Sequence, residues 1–161
     1  MFKSKWLVIL VWFFLAVQPS FADDRANLLG TWKLTSIVGE FQDTGEKFYD
    51  WGKNPTGYTI YTPEGRIMAV IEGEGRKAAQ TDEERATLFR TMFAYTGMFR
   101  LEGDKLFTKV DVAWNPAWNG TELVRFYKLE GNRLEILTGW APSTRFPGRM
   151  TRGLFIFERV K

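Results

Sequence analysis

From residue 28 onward, turn residues cut the chain into short segments, and all but one of these alternate apolar and polar side chains. Segments 31–38, 58–62 and 66–72 come first, and Pro63-Glu64-Gly65 joins the last two with proline and glycine where a tight turn uses them. GMFRLEG, KLFTKVDVAW, ELVRFYKLEG, RLEILTG and RGLFIFERV follow. LEGDKL (101–106) and LEGNRL (129–134) each have a two-residue centre, Gly-Asp or Gly-Asn, that reads as a hairpin tip. Asp43-Thr44-Gly45 marks another turn. Period two in a strand puts alternate residues on one face, so Trp32, Leu34, Ser36 and Val38 are expected together, opposite Lys33, Thr35 and Ile37. With the 39–49 region included, eight or nine strands result, and their short links make sequence neighbours antiparallel partners.

The exception is 81–94. Thr81-Asp82-Glu83-Glu84 is a capping box, with a hydroxyl and a carboxylate exchanging bonds with free helix amides. Leu88 and Met92, and Phe89 and Phe93, are spaced four apart, which predicts an apolar stripe on a single short helix. The fold class is therefore all-β: an eight- to nine-stranded antiparallel barrel with one helix inserted around 81–94. A two-sheet sandwich is the alternative, but closure removes exposed strand edges. Several strands carry bulk on both faces, as with Leu106, Val110 and Val112 against Phe107, and Leu154 and Ile156 against Phe155 and Phe157. A second apolar face calls for a covering helix, a homodimer partner or a lipid-like surface.

The first 22 residues read differently. Lys3 and Lys5 precede an apolar run from 6 to 17, and Ser20-Phe21-Ala22 offers small residues for a signal peptidase. This is the pattern of a cleavable secretory signal, cut after Ala22. The run is shorter than the roughly 20 residues a membrane-spanning helix needs. The expected mature domain is 23–161, exported to the periplasm or secreted, with no transmembrane segment. Without cysteine, its stability must come from packing, which a domain of this size can supply. The whole chain carries 22 basic and 19 acidic residues, and the leader holds two of the bases and no acid. The domain is thus near neutral, with bases and acids interspersed, and no basic face suits nucleic acid.

Gly30-Thr31-Trp32 ahead of an alternating strand resembles the Gly-x-Trp signature of the lipocalin and fatty-acid-binding superfamily. GTWKL, NPTGYTIYTPEGRIMAVI, NPAWNGTELVRFYKLEGNRLEIL and the closing strand together resemble the bacterial lipocalin-like domain family, over nearly all of 28–160. The resemblance implies that Trp32 closes the barrel base beneath a basic side chain from the last strand. Arg159 is the matching residue here. The segment 73–95 departs from the simple hairpin of secreted lipocalins.

The chain has no histidine and no cysteine. That removes Ser-His-Asp and Cys-His catalysis and most zinc, copper and thiol chemistry. No catalytic residue, metal site or cofactor is assigned, and no phosphate loop or dinucleotide fingerprint is present. An eight-stranded barrel can hold one small ligand or be filled by its own side chains. Candidate ligand-binding residues are Tyr58 and Tyr61, on opposite faces of one strand; Arg100 and Arg125, which interrupt apolar strands; and Trp114, Trp118 and Trp140 in loops. Each has a plainer reading, as packing for the aromatics and as a solvated charge for the arginines. Trp140 and Phe146, in the TGWAPSTRFPG loop, are expected to crowd the same region as Trp114 and Trp118, and Glu72 and Asp111 are the carboxylates to examine for pairing. The leading expectation is a non-enzymatic exported protein that binds a small hydrophobic or amphipathic ligand in or at the rim of the barrel. One alternative is a structural or protein-interaction module, dimeric through its second apolar face, with a filled barrel. Another is an isomerase or cyclase working through carboxylate, tyrosine and arginine.

Overall fold

The computed structural model describes residues 21–161; all but the last two residues of the expected leader lie outside the described residues. The order of elements is α1 (Phe21–Leu28), β1 (Gly30–Phe41), β2 (Lys47–Phe48), β3 (Thr56–Tyr61), β4 (Arg66–Glu72), α2 (Asp82–Arg90), β5 (Met92–Glu102), β6 (Lys105–Ala113), a 3-10 turn (Pro116–Trp118), β7 (Glu122–Glu130), β8 (Arg133–Thr138), β9 (Ala141–Pro142) and β10 (Met150–Arg159). Strands β1, β3, β4, β5, β6, β7, β8 and β10 pair in that order, all antiparallel, and β10 returns to β1. Eight strands therefore close into a barrel. The two-residue strands β2 and β9 extend it along β1 and β10. The 39–49 region is the end of β1, the expected turn and β2, not a separate barrel strand.

The connections separate by length onto two poles. The tight turns at 62–65, 103–104 and 131–132 lie at one end, where β1 begins and β10 finishes. The long segments at 42–55, 73–91, 114–121 and 139–149 crowd the other, which forms the mouth. Gly103 (φ 61°) and Gly131 (φ 58°) hold the first positions of their two-residue turns in the left-handed region. That is the backbone a type II′ hairpin turn requires and glycine adopts freely.

Two bulges change which side chains face inward. Between Leu34 and Ser36 the register of β1 against β10 shifts. Trp32, Leu34, Ile37 and Phe41 are consequently buried, whereas Val38 is only partly covered. The expected face of Trp32, Leu34, Ser36 and Val38 is corrected accordingly: the extra residue reverses the alternation. In β6, Gly97 pairs with Val110 and Thr96 with Val112, so Asp111 is the additional residue. Leu106 and Val110 point into the core, and Val112, expected beside them, is 62% exposed.

The inserted helix is shorter than expected. Its capping box forms, with Glu84 N donating to Thr81 Oγ1 at 3.2 Å and Thr81 N to the Glu84 carboxylate at 3.2 Å. It ends at Arg90, however, and Met92 and Phe93 begin β5, opposite Glu72 and Ile71 of β4. The 81–94 bound and its apolar stripe are therefore corrected. Phe93 and Tyr95 gain more by alternating into the barrel beside β4 than by extending a helix that buries none of its residues. Tyr58, Ile60, Met68, Val70 and Met98 lie exposed on the outside of β3, β4 and β5.

Candidate functional site: a cup sealed at one end

The sealed pole is built from both ends of the domain. Trp32 has no exposed surface and donates Nε1–H to the Leu28 carbonyl at 2.8 Å. Gly30 precedes it with φ 117°, beside the Arg159 guanidinium. Arg159 lies 4.2 Å from the centre of the indole ring and donates to the Leu29 carbonyl at 2.7 Å and to the Asn27 carbonyl. Such a cation–aromatic contact contributes about 0.5–2 kcal/mol. The preceding helix α1, read from sequence only as a polar lead, is the stopper. Leu28 is fully buried, Arg25 reaches the Pro63 carbonyl at 3.0 Å, and the Tyr127 hydroxyl donates to Asp24 Oδ2 at 3.0 Å. Burial, reinforced by that neighbouring carboxylate, pushes the Tyr127 hydroxyl up to about 12.

Above this floor the barrel encloses a cavity of about 550 Å³, open toward the mouth. This falls within the size range of small-molecule sites. Ile71, Leu106, Ile136, Phe155 and Phe157 supply apolar wall. The polar groups converge on one side. Arg125 sits on β7 between Leu106 and Thr138, its inward-facing partners on β6 and β8. Its guanidinium donates to the Val124 carbonyl at 3.1 Å, and among the described residues no carboxylate pairs with it. Burial lowers its pKa, which the neighbouring Tyr95 and Tyr61 partly oppose. Burial also pushes both tyrosine hydroxyls above the ordinary phenol range; for Tyr61, Tyr95 adds to the rise and the nearby Thr59 hydroxyl and Arg125 oppose it. Thr59 Oγ1 is buried and reaches no hydrogen-bond geometry with any described residue, Tyr61 included. An unsatisfied buried hydroxyl costs about 1–3 kcal/mol, so it marks a place where another group is wanted.

The mouth is aromatic, and Phe93 is its hub. Its ring lies 5.6 Å from Trp51, 6.2 Å from Trp114, 6.3 Å from Trp118 and 5.9 Å from Phe155. Trp114 and Trp118 meet edge to face at 4.8 Å, across the turn that Pro116 stiffens, and Trp114 Nε1 donates to the Phe89 carbonyl at the end of α2. Trp140 lies beneath Arg152, 4.3 Å from guanidinium to ring, and Arg152 is also paired with Glu40 at 2.8 Å.

Tyr61, Trp114, Trp118, Arg125 and Trp140 thus line one cavity. Tyr58 and Arg100 do not. Tyr58 is 46% exposed on the outer face. Arg100, also outside, is ion-paired to Glu102 at 2.7 Å and Glu122 at 2.5 Å and covers the Phe107 ring. Glu72 and Asp111 are paired too, with Arg76 at 3.1 Å and Arg66 at 2.7 Å. Phe146 joins Phe41 and Phe48, both at 5.0 Å, instead of the Trp114, Trp118 and Trp140 group that lines the cavity. Sequence reasoning missed Trp51, Thr59, Phe93, Tyr95 and Arg90 as lining. For Thr59 and Tyr95 the inward parity of Tyr61 and of Phe99 was the available signal.

A closed antiparallel barrel with a sealed base and an aromatic mouth defines a protein of the lipocalin-like class. The family model described as a lipocalin-like domain matches residues 29–160, and the chain belongs to that family. Among solved structures, a redesigned β-barrel is similar at 11% identity, covering 85% of this chain and 95% of that one with a TM-score of 0.41. Comparison with curated proteins found no match.

Proposed function

We propose that the barrel holds a small hydrophobic or amphipathic molecule, admitted between Trp51, Trp114, Trp118 and Trp140. The observation that carries this reading is the cavity of about 550 Å³ above the Trp32 floor, walled by apolar side chains and reached through the aromatic ring of the mouth. Aromatic side chains offer large contact area at low entropic cost. The test is titration of delipidated protein with dodecanol, followed by tryptophan fluorescence. Saturable quenching that is lost in a cavity-filling Ala69→Trp variant of unchanged circular dichroism supports the reading. No saturable response defeats it.

Export to the periplasm or beyond belongs to the same proposal, and the charged, apolar and small-residue sequence of 1–22 supports it. Mass spectrometry of the protein from its native host would then begin at Asp23. A second reading, a dimerising interaction module, is favoured by the outer patch of Tyr58, Ile60, Met68, Val70 and Met98, where Tyr58 faces Val70 and Ile60 faces Met68 across strands. Sedimentation at high concentration decides it: a strict monomer removes this reading.

A further inference from the structure

Resting on the reading that the mouth admits a small amphipathic molecule, we infer that Arg76 is a positioning residue that sets how fast that molecule enters and leaves, by fastening α2 as the movable side of the mouth. The segment 73–91 links β4 to β5 where a simple hairpin would serve, and its first residues tie two sides of the opening. Gly73 N donates to the Thr91 carbonyl at 2.8 Å, and Glu74 N donates to the Trp51 carbonyl at 2.9 Å.

The Trp51 side is fixed. The Glu74 carboxylate accepts from Lys53 N at 2.8 Å, Asn54 N at 3.2 Å and Asn54 Nδ2 at 2.8 Å. Gly52 lies so close that a Cβ there would overlap the Glu74 side chain. Trp51 itself packs against the buried core, edge to face with Phe93. This loop moves only by giving up core contacts.

The α2 side is held otherwise. None of its residues is buried, and Phe89 is 47% exposed. It nevertheless covers the cavity, because Arg90 in its last turn and Met92 just beyond it line the wall. Apart from residues 80 and 81, which cap it, two hydrogen bonds hold α2 among the described residues. Arg76 Nη1 donates to the Leu88 carbonyl at 2.6 Å, and Trp114 Nε1 to the Phe89 carbonyl at 3.1 Å. The same Arg76 nitrogen reaches Thr91 Oγ1 at 2.8 Å, Nη2 meets Met92 Sδ at 3.5 Å and Nε pairs with Glu72 at 3.1 Å. One largely buried guanidinium thus joins the end of β4, the last turn of α2 and the start of β5. A cation on the closing carbonyls of a helix also suits its negative end. Release of this side chain frees α2, takes the acceptor away from the Trp114 indole and widens the opening opposite Trp51. Segments with so little buried area open locally at small cost, and such openings set exchange rates at enclosed sites.

The experiment follows dodecanol exchange on native protein and variants by stopped-flow tryptophan fluorescence. Arg76→Met is expected to raise the association and dissociation rate constants together by about tenfold, the increment of one charge-assisted bond. Kd should stay within about twofold, since the closed form still dominates. Arg76→Lys keeps the Glu72 pair but cannot span three acceptors, so its rates should fall between. Arg85→Met, whose side chain pairs with Asp82 inside the helix, should match native protein. A folded R76M with native rates, or with a raised Kd and unchanged association, overturns the gate and leaves the proposed function standing. No binding of dodecanol to native protein overturns both. Hydrogen exchange on native protein decides the matter should R76M fail to fold. Amides of 84–90 should exchange faster than those of β4 and β5 and should slow when dodecanol is bound. Protection of 84–90 equal to that of the strands, or unchanged by bound dodecanol, overturns the gate.

Discussion

Arg159, the last residue of β10, lies over Trp32 at the start of β1 and is tied to the carbonyls of Leu29 and Asn27. One side chain thus joins the last strand, the first strand and the stopper helix. Arg159→Met should lower unfolding free energy by about 1–3 kcal/mol, from the lost cation–aromatic contact and the charge-assisted bonds. Arg159→Lys should fall between, since an ammonium keeps the stacking charge but not the fork that spans two carbonyls. Urea denaturation monitored by circular dichroism measures both. An R159M midpoint equal to that of native protein would contradict the account of the sealed pole.

Alkaline pH should loosen the same pole. The Tyr127 hydroxyl titrates near 12 in the folded state against an ordinary value near 10. The unfolded chain therefore releases this proton first, so the contribution is complete below about pH 10 and is lost as pH rises toward 12. Tyr61 and Tyr95, also raised, act in the same direction. Tyr127→Phe removes one titration and the bond to Asp24. Its melting temperature should be lower at neutral pH and fall less steeply between about pH 10 and 12 than that of native protein.

At Gly97 the barrel wall admits no side chain. A Cβ there would collide with the Lys109 carbonyl oxygen and press on Val110 Cα at 3.0 Å. This is where β5 crosses the Asp111 bulge of β6. Gly97→Ala should cost about 1–3 kcal/mol or more, as overpacking does, despite alanine's smaller backbone entropy loss. Thermal unfolding reads the loss directly.

The inserted helix should respond differently. Thr81→Ala removes the capping hydroxyl, worth about 1 kcal/mol to the helix. Because no residue of α2 is buried, the effect should be local. Amide exchange within 84–90 should quicken, while the global denaturation midpoint stays within error.

Strand alternation and the turn residues were enough to read an antiparallel barrel from sequence, and Trp32 with Arg159 marked its base. What escaped was displaced by single residues. The bulges after Leu34 and at Asp111 each shift the parity, so Ile37 turns in and Val112 turns out. The bulge after Leu34 carries no glycine or proline to announce it, and the glycine at the second, Gly97, stands on the facing strand β5 and not beside Asp111. The spacing of Phe89 and Phe93 satisfies a helix, but Phe93 and Tyr95 equally satisfy a strand, and only the free edge of β4 decides between them. The site was legible where chemistry is unusual for its surroundings, as at Arg125 in an apolar strand. It was illegible where an ordinary residue such as Thr59 becomes notable only through what fails to meet it.

Residues 28–32 and 159–160 come together at the stoppered pole, with Val160 N donating to the Thr31 carbonyl at 2.9 Å. The opening faces the opposite direction. Anything joined beyond either end of the domain, whether a tag, a tether or a neighbouring module, hangs from the blind side of the vessel. A molecule immobilised through either end therefore presents its four-tryptophan rim to solution, free for whatever arrives.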